Sequence, residues 1–517
     1  MTIQPRDRHE GTTVGGAGRD GDPRRGSFRH PISFSRMLFR ELYDEALAQA
    51  SYLIGCQATG EAIVIDPLRD PAPYLDLARA EGLRITHVTE THIHADFVSG
   101  ARELCAATGA RLYLSAEGGP EWQYGFAAQD DAVLLHDGDR IMVGNIQLDV
   151  LHTPGHTPEH LAFVVTDLPR GAGPMGIVTG DFVFVGDVGR PDLLERAAGM
   201  ADTMEAAART LFRSLQKFRA LPDHLQVWPG HGAGSACGKA LGAVPSSTVG
   251  YEKRANWGVA EHDEAAFVAA VLEGQPEPPR YFAVMKQLNR DGPPVLGQPP
   301  VARRLSAAEV VSGSSIPTRW LLDLRPANEF AEGFIDGSLS LPYSKRFSTW
   351  AGSIIPVTDE IVLLSANGDD VPHAVRDLSR IGFDRVVGWV EAAEALHAWR
   401  AAGHALATMR HLSVSDAESQ RTDGPMTLVD VRGRTEWEAG HVGGALHVPL
   451  GDLRQRLDAL PSTPLLVHCQ SGARSTIATS LLHRLGRRDA VNVLGGFAAW
   501  RAAGLTVAAH SALGRDE

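Results

Sequence analysis

The sequence predicts an α/β protein with one large N-terminal domain and two small domains built on parallel sheets. In the first half, from about Phe34 to Asn256, short β-rich runs such as Glu61–Asp66 and Ile146–Leu151 alternate with turns. In the second half, a pattern of buried strands and helices occurs twice at a spacing of about 100 residues. That pattern suits a small parallel α/β domain, so the second half predicts two of them.

Length and composition agree with a multidomain globular protein. The 517 residues suggest three or four domains, and 44% hydrophobic with 21% charged residues excludes general disorder. A net charge of -13 argues against a general nucleic-acid binder. No apolar run has the length of a membrane span, and the N-terminus lacks the apolar region of a secretory signal. We therefore expect a cytoplasmic protein with a disordered tail at 1–33 and no membrane or nucleic-acid partner.

The four cysteines exclude a disulfide framework. None lies in a Cys-x-x-Cys pair, so each is expected to be a free thiol in a reducing compartment. Cys56 and Cys105 lie in SYLIGC and RELCAATG and are expected to be structural.

Domain boundaries follow from a linker pattern and from the repeat. Residues 276–300 are rich in Pro and Gly and predict a linker after a first domain at 34–275. Beyond it, LLDLRPANEFAEGFIDGSLSLP at 321–342 matches LVDVRGRTEWEAGHVGGALHVP at 428–449, and both copies end in WRAAG. We therefore expect a duplicated domain, with its copies at 301–405 and 408–517.

Histidine and aspartate side chains gather after the β-rich run Ile85–Thr89. His92, His94 and Asp96 alternate in THIHADF, and alternate residues of an extended or loop backbone face the same way. Later segments place further metal-competent side chains at strand ends beside Gly or Pro: His156 in TPGHT, Asp181 in TGD and His231 in PGHG. Four such segments in this order predict a metal site.

These four segments resemble the metallo-β-lactamase superfamily over about 39–257. The resemblance implies an αββα sandwich with the metal at one edge of its sheets. The family motif is His-x-His-x-Asp-His, and Phe97 stands where its last histidine belongs. Because phenylalanine cannot ligate and that histidine helps to hold the second metal of binuclear members, this departure favours one metal.

The members with one metal are the persulfide dioxygenases, and the resemblance implies iron bound by His92, His156 and Asp181. Two histidines and a carboxylate form the facial triad of non-haem Fe(II) oxygenases, which leaves room for O₂ and a persulfide sulfur. One Fe(II) per chain is therefore expected. Three further side chains would orient the ligands or move protons: His94, Asp96 and His231. Whether His94 itself ligates stays open at this point.

Two more residues near the metal motifs are candidates for substrate contact or sulfur relay. Arg190 lies in GDVGRPDL, which resembles a Gly-Arg-x-Asp segment of the same dioxygenases. It would orient a substrate carboxylate or pair with Asp192, and the alternative is a plain surface salt bridge. Cys237 follows His231 closely and would carry sulfane sulfur or contact substrate, unless it is simply a small buried residue.

The second repeat places Cys469 between a strand and a helix in LLVHCQSGARS at 465–475. Loop N–H groups and the N-terminus of the helix would hold an anion there and favour the thiolate. Cys-x-x-Gly-x-Arg, with its upstream Asp-x-Arg…Glu-x-x-x-Gly-His, resembles rhodanese. This implies a sulfurtransferase in which Cys469 carries the sulfur and Arg474 completes the motif. The first repeat has VLLSANGDD at 362–370, without Cys or Arg, and resembles an inactive rhodanese.

Together these features resemble the bacterial persulfide dioxygenase–sulfurtransferases of sulfide detoxification. The resemblance implies oxidation of a small thiol persulfide, of glutathione, coenzyme A or a similar carrier, by O₂ to sulfite. The last domain would join sulfite and a second sulfane sulfur into thiosulfate, or run the reverse. The alternatives are a zinc thioester hydrolase of the hydroxyacylglutathione hydrolase (glyoxalase II) kind and a non-catalytic persulfide carrier. The inactive repeat also offers a contact surface for a homo-oligomer.

Overall fold

The computed structural model describes residues 37–193, 203–298 and 300–508, so the predicted tail at 1–33 lies outside the described residues. It contains two six-stranded sheets in the N-terminal half, then a four-stranded and a five-stranded sheet. The predicted mixed α/β fold is therefore confirmed. Among the described residues, no helix has the length and apolar character that crossing a membrane requires.

The N-terminal half is built on two sheets with strand orders β1-β2-β3-β4-β5-β6 and β12-β11-β10-β9-β8-β7. The strands of the first sheet are β1 Met37–Asp44, β2 Gln49–Cys56, β3 Glu61–Ile65, β4 Arg84–Thr89, β5 Arg111–Ser115 and β6 Val133–Leu135. Those of the second are β7 Arg140–Val143, β8 Ile146–His152, β9 Leu161–Asp167, β10 Gly176–Gly180, β11 Gln226–Pro229 and β12 Ser247–Thr248.

Helices cover the outer face of both sheets. They are α1 Ala72–Ala80, α2 Ala101–Thr108, α3 Met204–Arg219, α4 Val249–Ala255, α5 Trp257–Ala260 and α6 Glu264–Leu272. Alternation along β2 shows how the layers form, because successive side chains of a strand point to opposite faces. Tyr52 and Ile54 pack against the second sheet with Phe163, whereas Leu53 packs under α1 with Tyr74. The result is the αββα sandwich that the resemblance implied.

The segment at 276–300, which its Pro and Gly content predicts to be a linker, contains a helix, α7 Tyr281–Asp291. Phe282, Met285 and Asn289 are buried at helical spacing. The prolines lie on both sides of this helix, at 276–279 and 293–300, so a linker pattern drawn from composition overlooks the apolar period between them. Helix α7 packs against the loop that carries the first metal motif.

The C-terminal half contains two parallel sheets with matching strand order, β14-β13-β15-β16 and β19-β18-β20-β21, the second extended by β17. Their strands are β13 Arg319–Asp323, β14 Leu339–Ser340, β15 Glu360–Ser365, β16 Val386–Glu391, β17 His411–Leu412, β18 Thr427–Asp430, β19 Leu446–His447, β20 Leu465–His468 and β21 Val491–Val493. Their helices are α8 Ala307–Gly313, α9 Ala327–Glu332, α10 Phe347–Ile354, α11 Val371–Arg380, α12 Ala392–Ala401, α13 Val414–Asp423, α14 Arg434–Glu438, α15 Ala473–Arg484 and α16 Gly496–Ala502.

The repeated Asp-x-Arg motif has the same local structure in both units. Arg325 pairs with Asp323 at 2.6 Å, and Arg432 pairs with Asp430 at 2.7 Å. Each arginine also donates to a glycine carbonyl eight residues downstream, which closes the chain after the strand. The strong sequence match at these positions therefore reflects a shared structural clasp.

The middle unit contacts the N-terminal sandwich next to the metal motif. The N–H of Val98 donates to the carbonyl of Arg380 at 2.6 Å, and Arg69 pairs with Asp384 at 2.5 Å. The middle unit therefore contacts and supports the loop that carries His92 and Asp96.

Candidate functional site

Four loops place the predicted metal residues at one edge of the sandwich. His92 and Asp96 follow β4, His156 follows β8, Asp181 follows β10 and His231 follows β11. The glycines of these motifs allow the loops to approach closely. A Cβ on Gly230 would lie 2.7 Å from Asp181 Oδ1, so the residue before His231 cannot carry a side chain without displacing that carboxylate.

His92, His156 and Asp181 form a candidate metal site. Their ligand atoms all lie within 4.8 Å of one another. Asp181 Oδ2 is 3.4 Å from His156 Nε2 and 3.9 Å from His92 Nε2, and all three side chains are buried. Neither oxygen of Asp181 has a hydrogen-bond partner among the described residues. Because an unpartnered buried carboxylate is costly, this donor set fits a bound cation.

In both histidines, a hydrogen bond made by Nδ1 leaves Nε2 available to a metal. The Thr91 hydroxyl donates to Asp66 at 2.8 Å and therefore accepts from His92 Nδ1 at 2.9 Å. His156 Nδ1 donates to the carbonyl of Arg190 at 3.0 Å. Each Nε2 consequently keeps its lone pair, the tautomer that a metal ligand requires.

His94 points away from this group. Its Nε2 lies 3.1 Å from Asp66 Oδ1, and its ring packs on Phe97 with the centroids 4.4 Å apart. Burial alone would lower its pKa, but the Asp66 carboxylate raises the pKa of His94 to about 9. The Nε2 atom of His94 is thus engaged by Asp66, and His94 is not among the grouped ligand atoms.

Asp96, His231 and Cys237 form a second buried group of potential ligands next to the first. His231 Nε2 lies 3.4 Å from both Asp96 Oδ2 and Asp181 Oδ2. Burial opposes the charge of this histidine, yet the two carboxylates raise the pKa of His231 well above its ordinary value. Burial raises the pKa of the Cys237 thiol to about 12. Cys237 therefore lies beside the candidate metal site, as its position in the sequence predicts.

Arg190 makes the pair with Asp192 that the sequence suggests, but it does so in the interior. Its guanidinium donates to Asp192 at 2.6 and 2.8 Å and to the carbonyl of Ala236 at 2.8 Å. Both side chains of the pair are fully buried. Arg190 thus fastens the loop that carries Cys237, and contact between Arg190 and a substrate stays a prediction.

Two buried polar residues outside the predicted set support the metal loops. The N–H of Asp181 donates to His160 Nε2 at 3.1 Å, and burial lowers the pKa of His160 to about 3, which keeps this acceptor neutral. Asn289 on α7 donates to the carbonyls of His94 and Phe97 at 2.8 and 2.7 Å and accepts from the N–H of Ser99 at 2.9 Å. The signal for Asn289 is a polar residue on the apolar face of a helix.

The second predicted centre is the loop after β20. Cys469 is buried, and the N–H of Gly472 donates to its Sγ at 3.1 Å. Gly472 has φ +110°, a conformation that favours glycine, and α15 begins directly after it. Arg474 donates to both carboxylate oxygens of Glu436 at 2.5 and 2.7 Å. The structure therefore places thiol, loop glycine and arginine in the predicted strand–loop–helix arrangement.

The middle unit has the same turn without the thiol. The N–H of Gly368 donates to the hydroxyl of Ser365 at 3.0 Å, where the second unit has Gly472 and Cys469. The ring of Trp389 covers this loop so closely that a Cβ on Gly368 would lie 2.5 Å from it. With neither thiol nor arginine, this loop provides no group for sulfur transfer.

Comparisons with known proteins agree with this architecture. A metallo-beta-lactamase superfamily model matches residues 44–231, and a rhodanese-like domain model matches residues 413–503. The human protein "Persulfide dioxygenase ETHE1, mitochondrial" is 30% identical over 198 residues, which are 38% of this chain and 68% of that protein. A hydroxyacylglutathione hydrolase from Rhodospirillum rubrum is 34% identical over 185 residues, which are 35% of this chain and 60% of that enzyme.

One solved structure extends beyond the sandwich. A metallo-beta-lactamase from Staphylococcus aureus subsp. aureus COL is 42% identical with a TM-score of 0.62, and the match covers 69% of this chain and 99% of that one. The rhodanese-like match is confined to the last unit. A second, inactive rhodanese at 301–405 therefore stays a prediction, supported by the shared strand order.

Proposed function

Because this chain belongs to the metallo-β-lactamase superfamily and ends in a rhodanese-like domain, we propose that it is an iron-dependent persulfide dioxygenase and sulfurtransferase. Its dioxygenase domain spans 34–275, and its sulfurtransferase domain spans 408–517. The observation that carries the proposal is the grouping of His92, His156 and Asp181, whose ligand atoms lie within 4.8 Å of one another. His94 is engaged by Asp66 and Phe97 cannot ligate, so the three grouped side chains match the facial triad of a single iron.

Bound at this triad, Fe(II) would supply the activation of O₂ for oxidation of persulfide sulfur. The protein's own residues position the ligands. Thr91 and the carbonyl of Arg190 orient the two histidines, and the hydrogen bond from the backbone N–H of Asp181 to His160 positions Asp181. The net result is consumption of a persulfide, O₂ and one water molecule with release of thiol, sulfite and two protons. The similarity to the human persulfide dioxygenase supports this reaction.

The rhodanese-like domain would handle a second sulfane sulfur. The Cys469 thiolate attacks the outer sulfur of a persulfide, and the carrier leaves as its thiolate with the electron pair of the broken S–S bond. The N–H of Gly472 already points at Sγ, and the N-terminus of α15 lies next to it. Both features stabilise negative charge on the cysteine between transfers.

One experiment tests both activities. Iron-loaded protein receives glutathione persulfide while O₂, sulfite and thiosulfate are followed. We expect O₂ uptake that is lost in His156→Ala but kept in His136→Ala, which removes an exposed histidine that is not among the grouped ligands. Intact, iron-loaded protein without O₂ uptake would refute the dioxygenase and leave the sulfur-carrier alternative. A Cys469→Ser variant that still forms thiosulfate at the full rate would refute the transferase role.

The alternative candidate is a thioester hydrolase with two metals. The observation in its favour is the second ligand group, Asp96, His231 and Cys237, which shares Asp181 as a neighbour. Similarity to hydroxyacylglutathione hydrolases is as high as that to the persulfide dioxygenase. Metal analysis separates the two: one iron per chain supports the dioxygenase. Two zinc ions together with hydrolysis of a hydroxyacylglutathione thioester would support the hydrolase.

A further inference from the structure

We infer that a cavity between the metal site and the Cys469 loop is a sulfite-binding chamber, through which sulfite passes directly to the persulfide on Cys469. This inference rests on the proposed function. The cavity has a volume of about 360 Å³ and is lined by the sandwich, by α7 and the segment before it, by α10 of the middle unit and by the rhodanese-like unit. It is therefore a space that exists only because all the units pack together.

The cavity wall includes one residue beside each centre. Asp96 lines it, the carboxylate of Asp96 is 3.4 Å from His231 Nε2, and that nitrogen is 3.4 Å from Asp181. Arg474, on the first turn of the helix that follows the Cys469 loop, also lines it. A sulfane sulfur on Sγ extends the cysteine by a further bond of about 2 Å.

The cavity is lined by three arginines and by the carboxylates of Asp96, Glu277 and Asp452, and two of the arginines are paired. Arg280 pairs with Asp452 at 2.5 Å, and Arg474 pairs with Glu436. Arg346 also lines the cavity and has no ion pair among the described residues. Its neighbour Lys345 is instead paired with Glu45 at 2.5 Å. Arg346 is exposed, and its unpaired guanidinium beside this cavity is suited to a small oxyanion such as sulfite.

The transfer step balances without any further reactant. The lone pair on the sulfur of sulfite forms a bond to the outer sulfur of the Cys469 persulfide. The bond between that sulfur and Sγ breaks, and its electron pair stays on Sγ as the thiolate. Cys469–S–S⁻ and SO₃²⁻ thus give Cys469–S⁻ and S₂O₃²⁻, with the total charge unchanged.

Isotope partition in the iron-loaded full chain tests direct passage. Glutathione persulfide carries heavy-isotope sulfur at its sulfane position, and unlabelled sulfite is added in large excess. We expect most thiosulfate to carry the heavy isotope at both sulfurs, because sulfite formed at the metal reaches Cys469 before it mixes with the bulk. If O₂ is consumed but the sulfonate sulfur of thiosulfate has the isotope ratio of the added sulfite, direct passage through the chamber is refuted and the proposed function stands. Absence of O₂ uptake would refute the proposed function itself.

A variant that fills the cavity adds a second test. Gly451 lines the cavity, and a Cβ there would meet only the Cβ of Ser353, at 3.7 Å. Gly451→Ala therefore fits as the matched control, whereas Gly451→Leu reaches into the open space. We expect the doubly labelled fraction per O₂ consumed to fall several-fold in Gly451→Leu. Ser353→Phe adds bulk beside Gly451 from α10 and should act alike. An unchanged fraction in a folded filled variant would contradict the inference.

Sulfite binding gives a readout that does not depend on turnover. The probe is sulfite titrated by calorimetry into full-length Cys469→Ser protein before iron loading. Arg346→Gln should weaken binding about tenfold, the size of one hydrogen bond to a charged group, and Lys345→Gln should leave it unchanged. No binding, or equal binding in Arg346→Gln, would remove Arg346 from the chamber and overturn the assignment of this cavity to sulfite.

Discussion

Replacement of Asn289 by alanine should destabilise the loop that carries the first metal motif, although Asn289 contacts none of the three candidate ligands. The Asn289 side chain is buried and makes three hydrogen bonds, to the carbonyls of His94 and Phe97 and from the N–H of Ser99. At about 1 kcal/mol for each bond, the variant loses about 3 kcal/mol of local stability. The three backbone groups that it leaves unpaired in the interior can only add to this cost.

Amide hydrogen exchange measures this local loss without the assumption that a multidomain chain unfolds in one step. A loss of about 3 kcal/mol corresponds to exchange at Ser99 that is faster by about a hundredfold. Asn367→Ala, which removes an exposed asparagine in the turn of the middle unit, is the matched control and should leave this amide unchanged. If exchange at Ser99 rises no more in Asn289→Ala than in the control, the hydrogen bonds between α7 and the metal loop do not stabilise that loop.

Three other predictions concern the two centres. Cys469→Ser should keep O₂ uptake and accumulate sulfite in place of thiosulfate, and persistence of thiosulfate in product analysis would contradict the role of this thiol. Removal of the metal should lower the melting temperature in calorimetry, because the buried Asp181 carboxylate loses its cation, and Asp181→Asn should abolish that metal dependence. Burial opposes ionisation of Glu436, but its hydrogen bonds from Arg474 lower the pKa of Glu436 below 4.5. The pair therefore stabilises the last unit above that pH and is lost as the pH falls through the lowered pKa, so acid unfolding of Glu436→Gln should lack this step.

Features that depend on local spacing could be predicted from the sequence. His92, His156 and Asp181 each lie in a short motif at a strand end, and strand ends at one edge of a sandwich bring such motifs together. The loop at Cys469 is likewise local, since the strand, the glycine and the helix that shape it are contiguous. The roles assigned to these residues remain predictions for the experiments above.

Features that depend on distant partners could not be predicted. His94 follows the same alternation as His92, yet it turns to Asp66, a partner 28 residues earlier in the chain. Helix α7 lies between two proline-containing segments, and its Asn289 forms a hydrogen bond with a loop residue 190 positions earlier in the chain. No spacing rule relates such pairs, because their proximity follows from packing.

The sequence by itself predicted the two candidate centres: a group of possible metal ligands and a cysteine in a loop between a strand and a helix. Both follow from residue types at short spacings, which the local backbone converts into geometry. Only the tertiary structure decided which histidines lie together, that the middle unit contacts the loop after β4, and that one cavity is lined by a residue beside each centre. These outcomes depend on which buried charges find partners and on how whole units pack, and neither is written into any single segment.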